Sequence, residues 1–525
     1  MKVVNRLMKP DIIEKRDYQI NIYEEIKDRN SLVILPTGLG KTVIALLVLL
    51  YKLSQGKRVM FLAPTKPLCE QHASFIKKST VLPENDVIVV TGEMFTPEKR
   101  GSIYGLGRVV VATPQTIAND ISKRLRIDEF GLLIFDEAHR AIGNYAYVKI
   151  ARHYLKTSSI SQTLGLTASP GSDFEKLKEM AYNLGIEHIE IRTEDDPDVK
   201  PYLSNRLMRW HLLDMPSQIR EITDKIDHVL KELLQNLSKY SAQAKNLMPN
   251  RLSKKALIEI QSRMKKNIGR RGGTLYHGLS LVSAAIKLAH LRDILTSQGI
   301  DVAKSYILKL ENDRSSSTNR IKKHPLYVEI KRKLMDAHVC QPKLMLTKQI
   351  ITDHLSNMDD PRIMIFAEYR DTVDMLVTEL DKINGVKVTG FIGQKRNSFK
   401  NGMTQEEQKK ILDEFRRGTY NVLVSTSIGE EGIDIPATSL VLFYEPVPTA
   451  IRHIQRKGRT ARDGHIGMVR ILIMRDSRDE AFYWSSINKE KMMYKQAYRL
   501  KKLLESDKNM LKSLVGRQSK IDEYL

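Results

Sequence analysis

"SLVILPTGLGKTVIALLVLL", residues 31–50, joins two apolar runs through a loop holding two glycines, a lysine and two threonines. The first run is short and β-branched, and the second is long enough for a helix. Strand, glycine loop, helix is the setting of a phosphate-binding loop. Gly38 and Gly40 let backbone N–H groups close on phosphates beside Thr37, Lys41 reaches the β and γ oxygens, and Thr42 supplies a hydroxyl for Mg²⁺. Such a loop needs a partner carboxylate on a neighbouring strand. "LLIFDEAHRAIG", residues 132–143, offers one, because four apolar residues run straight into Asp136 and Glu137. A short apolar run before abrupt polarity reads as a buried parallel strand ending at the sheet's carboxyl edge, where open α/β folds hold ligands. Asp136 is then expected to hold Mg²⁺ through its water shell, and Glu137 to orient and deprotonate an attacking water.

Outward from these two stretches the pattern repeats. Runs at 31–35, 59–63, 87–90, 108–113, 132–136 and 163–167 alternate with helical patterns, which implies a parallel sheet covered on both faces. The texture returns with runs at 362–367, 386–391, 421–425, from 439, and 468–474. Between them the chain is helical: Ile219, Ile222, Ile226, Val229, Leu230 and Leu233 fall on one face of a segment spanning 218–240. "NIGRRGG" (267–273) and "ENDRSSSTNR" (311–320) read as exposed loops. The fold class is α/β, two parallel-sheet domains with a helical insert between them. The expected boundaries are 1–204, 205–340 for the insert, 341–490, and a helical tail at 491–525.

Bulk properties narrow the class. The chain carries 85 Lys plus Arg against 62 Asp plus Glu, a net charge of +23 that suggests a polyanionic partner. The excess is local, since residues 241–340 hold 20 basic and 7 acidic side chains. Cys69 and Cys340 are the two cysteines, which excludes a cysteine-built metal cluster or disulfide framework. The longest apolar run, Val43 to Tyr51, falls short of the roughly 18 residues of a membrane span, and the N-terminus has no signal-peptide core, so a soluble, intracellular (cytoplasmic) protein is expected.

Further motifs stand in order along the chain: "RDYQ" (16–19), "APTKPL" (63–68), "ATPQT" (112–116), "TAS" (167–169), "FAEYR" (366–370), "STSIGEEGIDIP" (425–436) and "QRKGRTAR" (455–462). With the two stretches above they resemble a superfamily 2 DEAH-box helicase with two RecA-like domains. Leu35, where the generic phosphate loop has glycine, is a departure that this superfamily shares. The resemblance implies ATP and Mg²⁺ as cofactors, with Gln19 reading adenine and Asp434 joining the nucleotide site. It implies Thr65, Lys66, Thr113, Arg370 and Thr426 on the nucleic acid, and Thr167 and Ser169 coupling ATP to the strand with His139 as their neighbour. Gln455, Arg459 and Arg462 would reach the ATP from across the cleft, with the two arginines serving as arginine fingers, worth about 10³ to 10⁵ in rate.

"LPTGLGKT", "GEEGIDIP" and "QRKGRTAR", with the helical insert, are similar to the archaeal Hef helicases and their eukaryotic relative FANCM, which act on forked and branched DNA. Lys254, Lys255, Arg263, Lys265, Lys266, Arg270, Arg271, Arg320, Lys322 and Lys323 of the insert are expected to clamp a second duplex arm, or else to form the solvated face of a helical spacer. Hef proteins also carry a nuclease domain with an ERK-x-x-x-D motif. That motif is absent from this sequence, so the native chain is expected to extend further. Gln518, Ile521, Tyr524 and Leu525 resemble the peptide that docks on the sliding clamp PCNA, with Leu525 replacing the usual second aromatic, but fit the apolar face of a terminal helix better. Two alternatives stay open. One is an RNA or double-stranded RNA translocase, since RIG-I-like and Dicer helicases also insert helices between their RecA-like domains. The other is a nucleotide-gated scaffold that binds nucleic acid without separating strands.

Overall fold

Two parallel sheets organise the chain in the computed structural model, which describes residues 6–10, 12–121, 123–158, 161–202, 206–249, 252, 254–266, 273–393, 402–426, 438–446 and 467–506. The first contains β1 (Ser31–Ile34), β2 (Arg58–Leu62), β3 (Val87–Val90), β4 (Val109–Ala112), β5 (Phe130–Asp136), β6 (Thr163–Thr167) and β7 (His188–Ile191). Their order is β3-β4-β2-β5-β6-β1-β7, with every neighbouring pair parallel. Successive residues enter opposite cores: Leu32, Ile34, Leu133 and Phe135 on one face, Val33, Leu132 and Ile134 on the other. A strand buried on both sides has no polar face to show, hence the unbroken apolar runs. Helices Asp17–Ile26, Lys41–Ser54 and Lys66–Ser79 cover one face, and Ala146–Thr157 and Phe174–Asn183 the other. Because β5, β6 and β1 are neighbours, the segments that leave their carboxyl ends, "DEAH", "TAS" and the glycine loop, come together at one edge.

The second sheet contains β8 (Arg206–Leu213), β9 (Ile363–Phe366), β10 (Val388–Phe391), β11 (Val422–Ser425), β12 (Leu440–Phe443) and β13 (Gly467–Met474), in the order β10-β11-β9-β12-β13-β8, again all parallel. These are two RecA-like α/β domains. Between β8 and β9 lies the insert, whose helices Ser217–Ser238, Lys254–Lys266, Gly273–Ser297, Ile300–Asn312, Ser316–Lys322 and Pro325–Asp336 share one core built on residues such as Ile226, Leu230, Leu288, Leu291, Ile307 and Leu334.

The elements depart from the sequence-based expectation in four places. β7, "HIEI", is a short strand at the sheet edge that the pattern did not suggest. Residues 206–213 belong to the second sheet rather than to the insert, pairing with β13 along all eight positions. "RLMRWHLL" carries no β-branched residue, and as an edge strand it leaves Leu207, Trp210 and Leu212 about half exposed, so it shows no strand signature. The expected loop at 311–320 is mostly helical: Ser315 caps the helix that begins at Ser316, and Lys287 Nζ donates to Asp313 (2.6 Å) and Thr318 (2.7 Å) beneath it. Finally, the boundary expected at 490 and 491 falls inside one continuous helix, Arg478–Ser506.

That helix, about 43 Å long at 1.5 Å per residue, leaves the second sheet and returns to the first. Ala497, Leu500 and Leu504, one face of it, are buried in the first domain's core against β7 and helix Phe174–Asn183. Lys501 pairs with Glu190 at 3.2 Å, and Arg499 lies 4.1 Å over the Phe174 ring. Among the described residues no helix is long and apolar enough to cross a membrane.

Candidate nucleotide site

The glycine loop follows β1, and its first amide is already committed, since Leu35 N donates to Thr167 O at 3.1 Å. Gly38 (φ 91°) and Gly40 (φ 76°) then take left-handed backbone that side chains resist. At Gly40 there is also no room, because a Cβ would stand 2.3 Å from Gln19 Nε2. Gln19 is buried and donates to Leu39 O (3.1 Å), which also accepts from Tyr18 OH (2.7 Å), so the segment expected to read adenine is fastened to the phosphate loop. Lys41 Nζ donates to Leu35 O at 3.0 Å across the loop. Thr42 stands in the first turn of helix Lys41–Ser54, where unpaired N–H groups and the helix dipole favour an anion.

β5 delivers Asp136 to the same edge. Burial works against its ionised form, but the hydrogen bond and charge from His72, with Lys41 behind, prevail and hold the carboxyl below the usual range. His72 Nε2 is 2.9 Å from Asp136 Oδ2, while Tyr147 OH fixes the backbone by donating to Asp136 O at 2.7 Å. Glu137, next along, is one of three non-glycine residues with positive φ among those described (49°, ψ 50°), a strained, left-handed backbone. His139 Nδ1 lies 3.2 Å from Glu137 Oε2 and 3.2 Å from Thr167 Oγ1. Thr167 Oγ1 in turn accepts from Ser169 N at 3.0 Å. One imidazole therefore bridges the acidic motif and "TAS", and Ala168 between them is capped by Met493 and Tyr494 of the C-terminal helix. The site offers hard oxygen donors, an ionised carboxylate and a threonine hydroxyl, which suit Mg²⁺.

The other sequence-derived residues are spread around this centre. Thr65 and Thr113 each stand just before a helix, Lys66–Ser79 and Pro114–Asp120; Lys66 pairs with Glu93 (3.0 Å), and Thr113 shares a hydrogen bond with Thr116 (2.8 Å). In the second domain Arg370 donates to Gly393 O (2.8 Å), and the Thr426 amide donates to Phe391 O (3.2 Å). In the insert Lys255, Arg263, Lys265, Lys266 and Lys323 are exposed and Lys254 is half-buried. Lys322 is used internally, its ammonium donating to the carbonyls of Glu311 (2.6 Å) and Asp313 (3.2 Å), and Arg320 reaches His277 (3.3 Å). Arg270, Arg271, Asp434, Gln455, Arg459, Arg462, Gln518, Ile521, Tyr524 and Leu525 lie outside the described residues.

Two features escaped the sequence. His72 sits 64 positions from its carboxylate, and only the packing of helix Lys66–Ser79 over β5 brings them together. Arg478, at the start of the C-terminal helix, locks onto "FAEYR": its guanidinium donates to Glu368 (2.8 Å) and Tyr369 OH (3.0 Å) and lies 3.9 Å from Asp293 of the insert. Burial pushes Asp293 up to about 6 and Glu445, whose carboxylate accepts from Glu368 N, up to about 7.

Comparison with known proteins matches residues 16–177 to the DEAD/DEAH box helicase profile and residues 343–464 to the helicase conserved C-terminal domain. The crystal structure of the Pyrococcus furiosus Hef helicase domain is 39% identical, with a TM-score of 0.72, covering 92% of this chain and 100% of that one. A Methanocaldococcus jannaschii protein, provisionally named an ATP-dependent RNA helicase, is 41% identical over 94% of this chain and 62% of its own length. The ATP-dependent DNA helicase mph1 of Neurospora crassa is 32% identical over 89% of this chain and 41% of its own. The chain thus spans less than two thirds of either of these two relatives.

Proposed function

Since this chain belongs to the DEAD/DEAH-box helicases, with the Hef helicase domain as a relative over 92% of it, we propose that it is an ATP-driven motor that unwinds or remodels forked or branched DNA. The observation that carries the ATPase reading is the chain Glu137–His139–Thr167, because it ties a carboxylate at the phosphate loop to the motif that reports on the strand. Lys41 would neutralise the β and γ phosphates, and Glu137 would orient and deprotonate the attacking water. Thr42 and Asp136 would hold Mg²⁺, which neutralises developing phosphate charge when bound. Arg459 and Arg462 would supply the remaining positive charge from the second domain.

The insert supports the branched substrate. Its helices share a core closed against the second sheet by Met474, the stretch 241–340 carries a concentrated positive charge, and charge on phosphates positions a duplex without reading its bases. The RNA reading keeps one specific support, the name of the Methanocaldococcus relative. ATPase stimulation by a DNA fork, linear duplex DNA and RNA, followed by strand displacement on the best substrate, tests the proposal. Strongest stimulation by the fork with displacement upholds it, and strongest stimulation by RNA overturns it. The clamp-docking peptide is tested separately, by titrating residues 512–525 against PCNA, with Tyr524→Ala as the control.

A further inference from the structure

We infer that His72 is a positioning residue for the metal-binding carboxylate, an inference that rests on the ATP-site reading above. Asp136 closes a strand buried along all seven residues, so its side chain has almost no water to orient it. The His72 ring is itself buried and lies 4.4 Å from the ring of Phe61, on β2 next to β5. Its Nε2 meets one oxygen of the carboxylate, Oδ2, at 2.9 Å, which fixes the rotation of the carboxylate plane. Tyr147 OH, donating to both Asp136 O (2.7 Å) and Leu62 O (3.1 Å), fixes the backbone beneath. Both soft degrees of freedom of Asp136 are thereby removed before any metal arrives. Groups that orient a direct metal ligand are worth about 10- to 100-fold in metal affinity in other sites, because the ligand is ordered before binding, and a carboxylate that holds the ion through water should show the lower end of that range.

The test separates metal binding from nucleotide binding and from turnover. Mn²⁺ is titrated into the protein with ADP and counted by electron paramagnetic resonance, and a fluorescent ADP is titrated with and without Mg²⁺. His72→Phe keeps a buried ring against Phe61 and removes the donor. It should weaken Mn²⁺ binding by at least about 10-fold and leave ADP affinity without metal unchanged. His72→Gln restores an N–H donor on a side chain of similar reach and should recover most of the loss. Equal Mn²⁺ affinity in the wild type and His72→Phe overturns the inference, as does a Gln variant no better than the Phe variant. If His72→Phe does not fold, Phe61→Leu, which removes the ring support and leaves the donor, should show a smaller loss in the same direction; an unchanged affinity there overturns it too. Asp136→Asn is the control for the underlying reading. If that change leaves Mn²⁺ binding intact, the assignment of the metal site fails, whatever His72 does.

Discussion

Glu137 holds a backbone conformation that costs a non-glycine residue on the order of 1–3 kcal/mol, and it is retained where its carboxylate meets His139. Lys41→Ala and Glu137→Gln should both abolish ATP hydrolysis, for different reasons. The first removes the ammonium proposed to neutralise the phosphates and should weaken nucleotide binding, and the second removes the carboxylate proposed as the base and should still bind ATP while trapping a nucleic-acid-bound state. Equilibrium binding beside steady-state ATPase rates separates them, and substantial turnover in either variant would refute the assignment. Arg459→Ala and Arg462→Ala should leave ATP binding largely intact and lower kcat by at least about 10³; a loss of only a few-fold would mean that the second domain supplies no charge to the reaction. At this scale the sequence was most legible where function and strand ends coincide. Asp136, Thr167 and the glycine loop each follow an apolar run, so their convergence could be foreseen. His72 and Tyr147 could not, because their roles depend on which helix lies over which strand.

At the scale of elements, β-branched runs between helices marked eleven of the thirteen strands of the described fold, and the two that escaped, β7 and β8, both lie at sheet edges. β8 is half exposed, so its composition need not be β-branched; β7 is buried under the C-terminal helix, and its two isoleucines, set in four residues beside His188 and Glu190, make too short and mixed a run to stand out. Arg478 shows what an element junction adds. It joins the C-terminal helix to Glu368 and Tyr369 of the second domain and to Asp293 of the insert, with Glu445 buried alongside. Because burial raises Glu445 to about 7, folding favours its protonated form. Its contribution to stability is full below the ordinary carboxylate range and is lost as pH rises through about 7. Glu445→Gln should therefore flatten the fall in melting temperature between pH 5 and 8 that the wild type shows. Parallel melting curves for the two proteins would show that this carboxyl does not titrate in the window.

For the whole molecule, the insert is the natural unit to remove, and the structure changes where to cut. Deleting 205–340 would take β8 with it and open the edge of the second sheet, whereas deleting 217–336 spares that strand. The shorter deletion should leave a folded ATPase with weaker fork preference and a shallower dependence of binding on salt. For scale, contact with ~6 to 10 phosphates changes affinity by about 10³ to 10⁵ between 50 and 200 mM salt. An unchanged salt slope and fork preference would make the insert a spacer.

The C-terminal helix has a consequence for how the molecule is made. Ala497, Leu500 and Leu504 form part of the wall of the domain that is synthesised first, yet they are among the last described residues to be added. While the chain is being made, the outer side of β7 and of helix Phe174–Asn183 stays uncovered until residues 497–504, more than 300 positions later, so the first domain waits in an incomplete form with "TAS" lacking its cap. A chain stopped after residue 492 keeps Arg478, Asp479 and Tyr483 in the second domain and should lose amide-exchange protection mainly in β7, β6 and the helix at 174–183. Protection lost first from β9 to β13 would show instead that the last helix closes the domain it grows from.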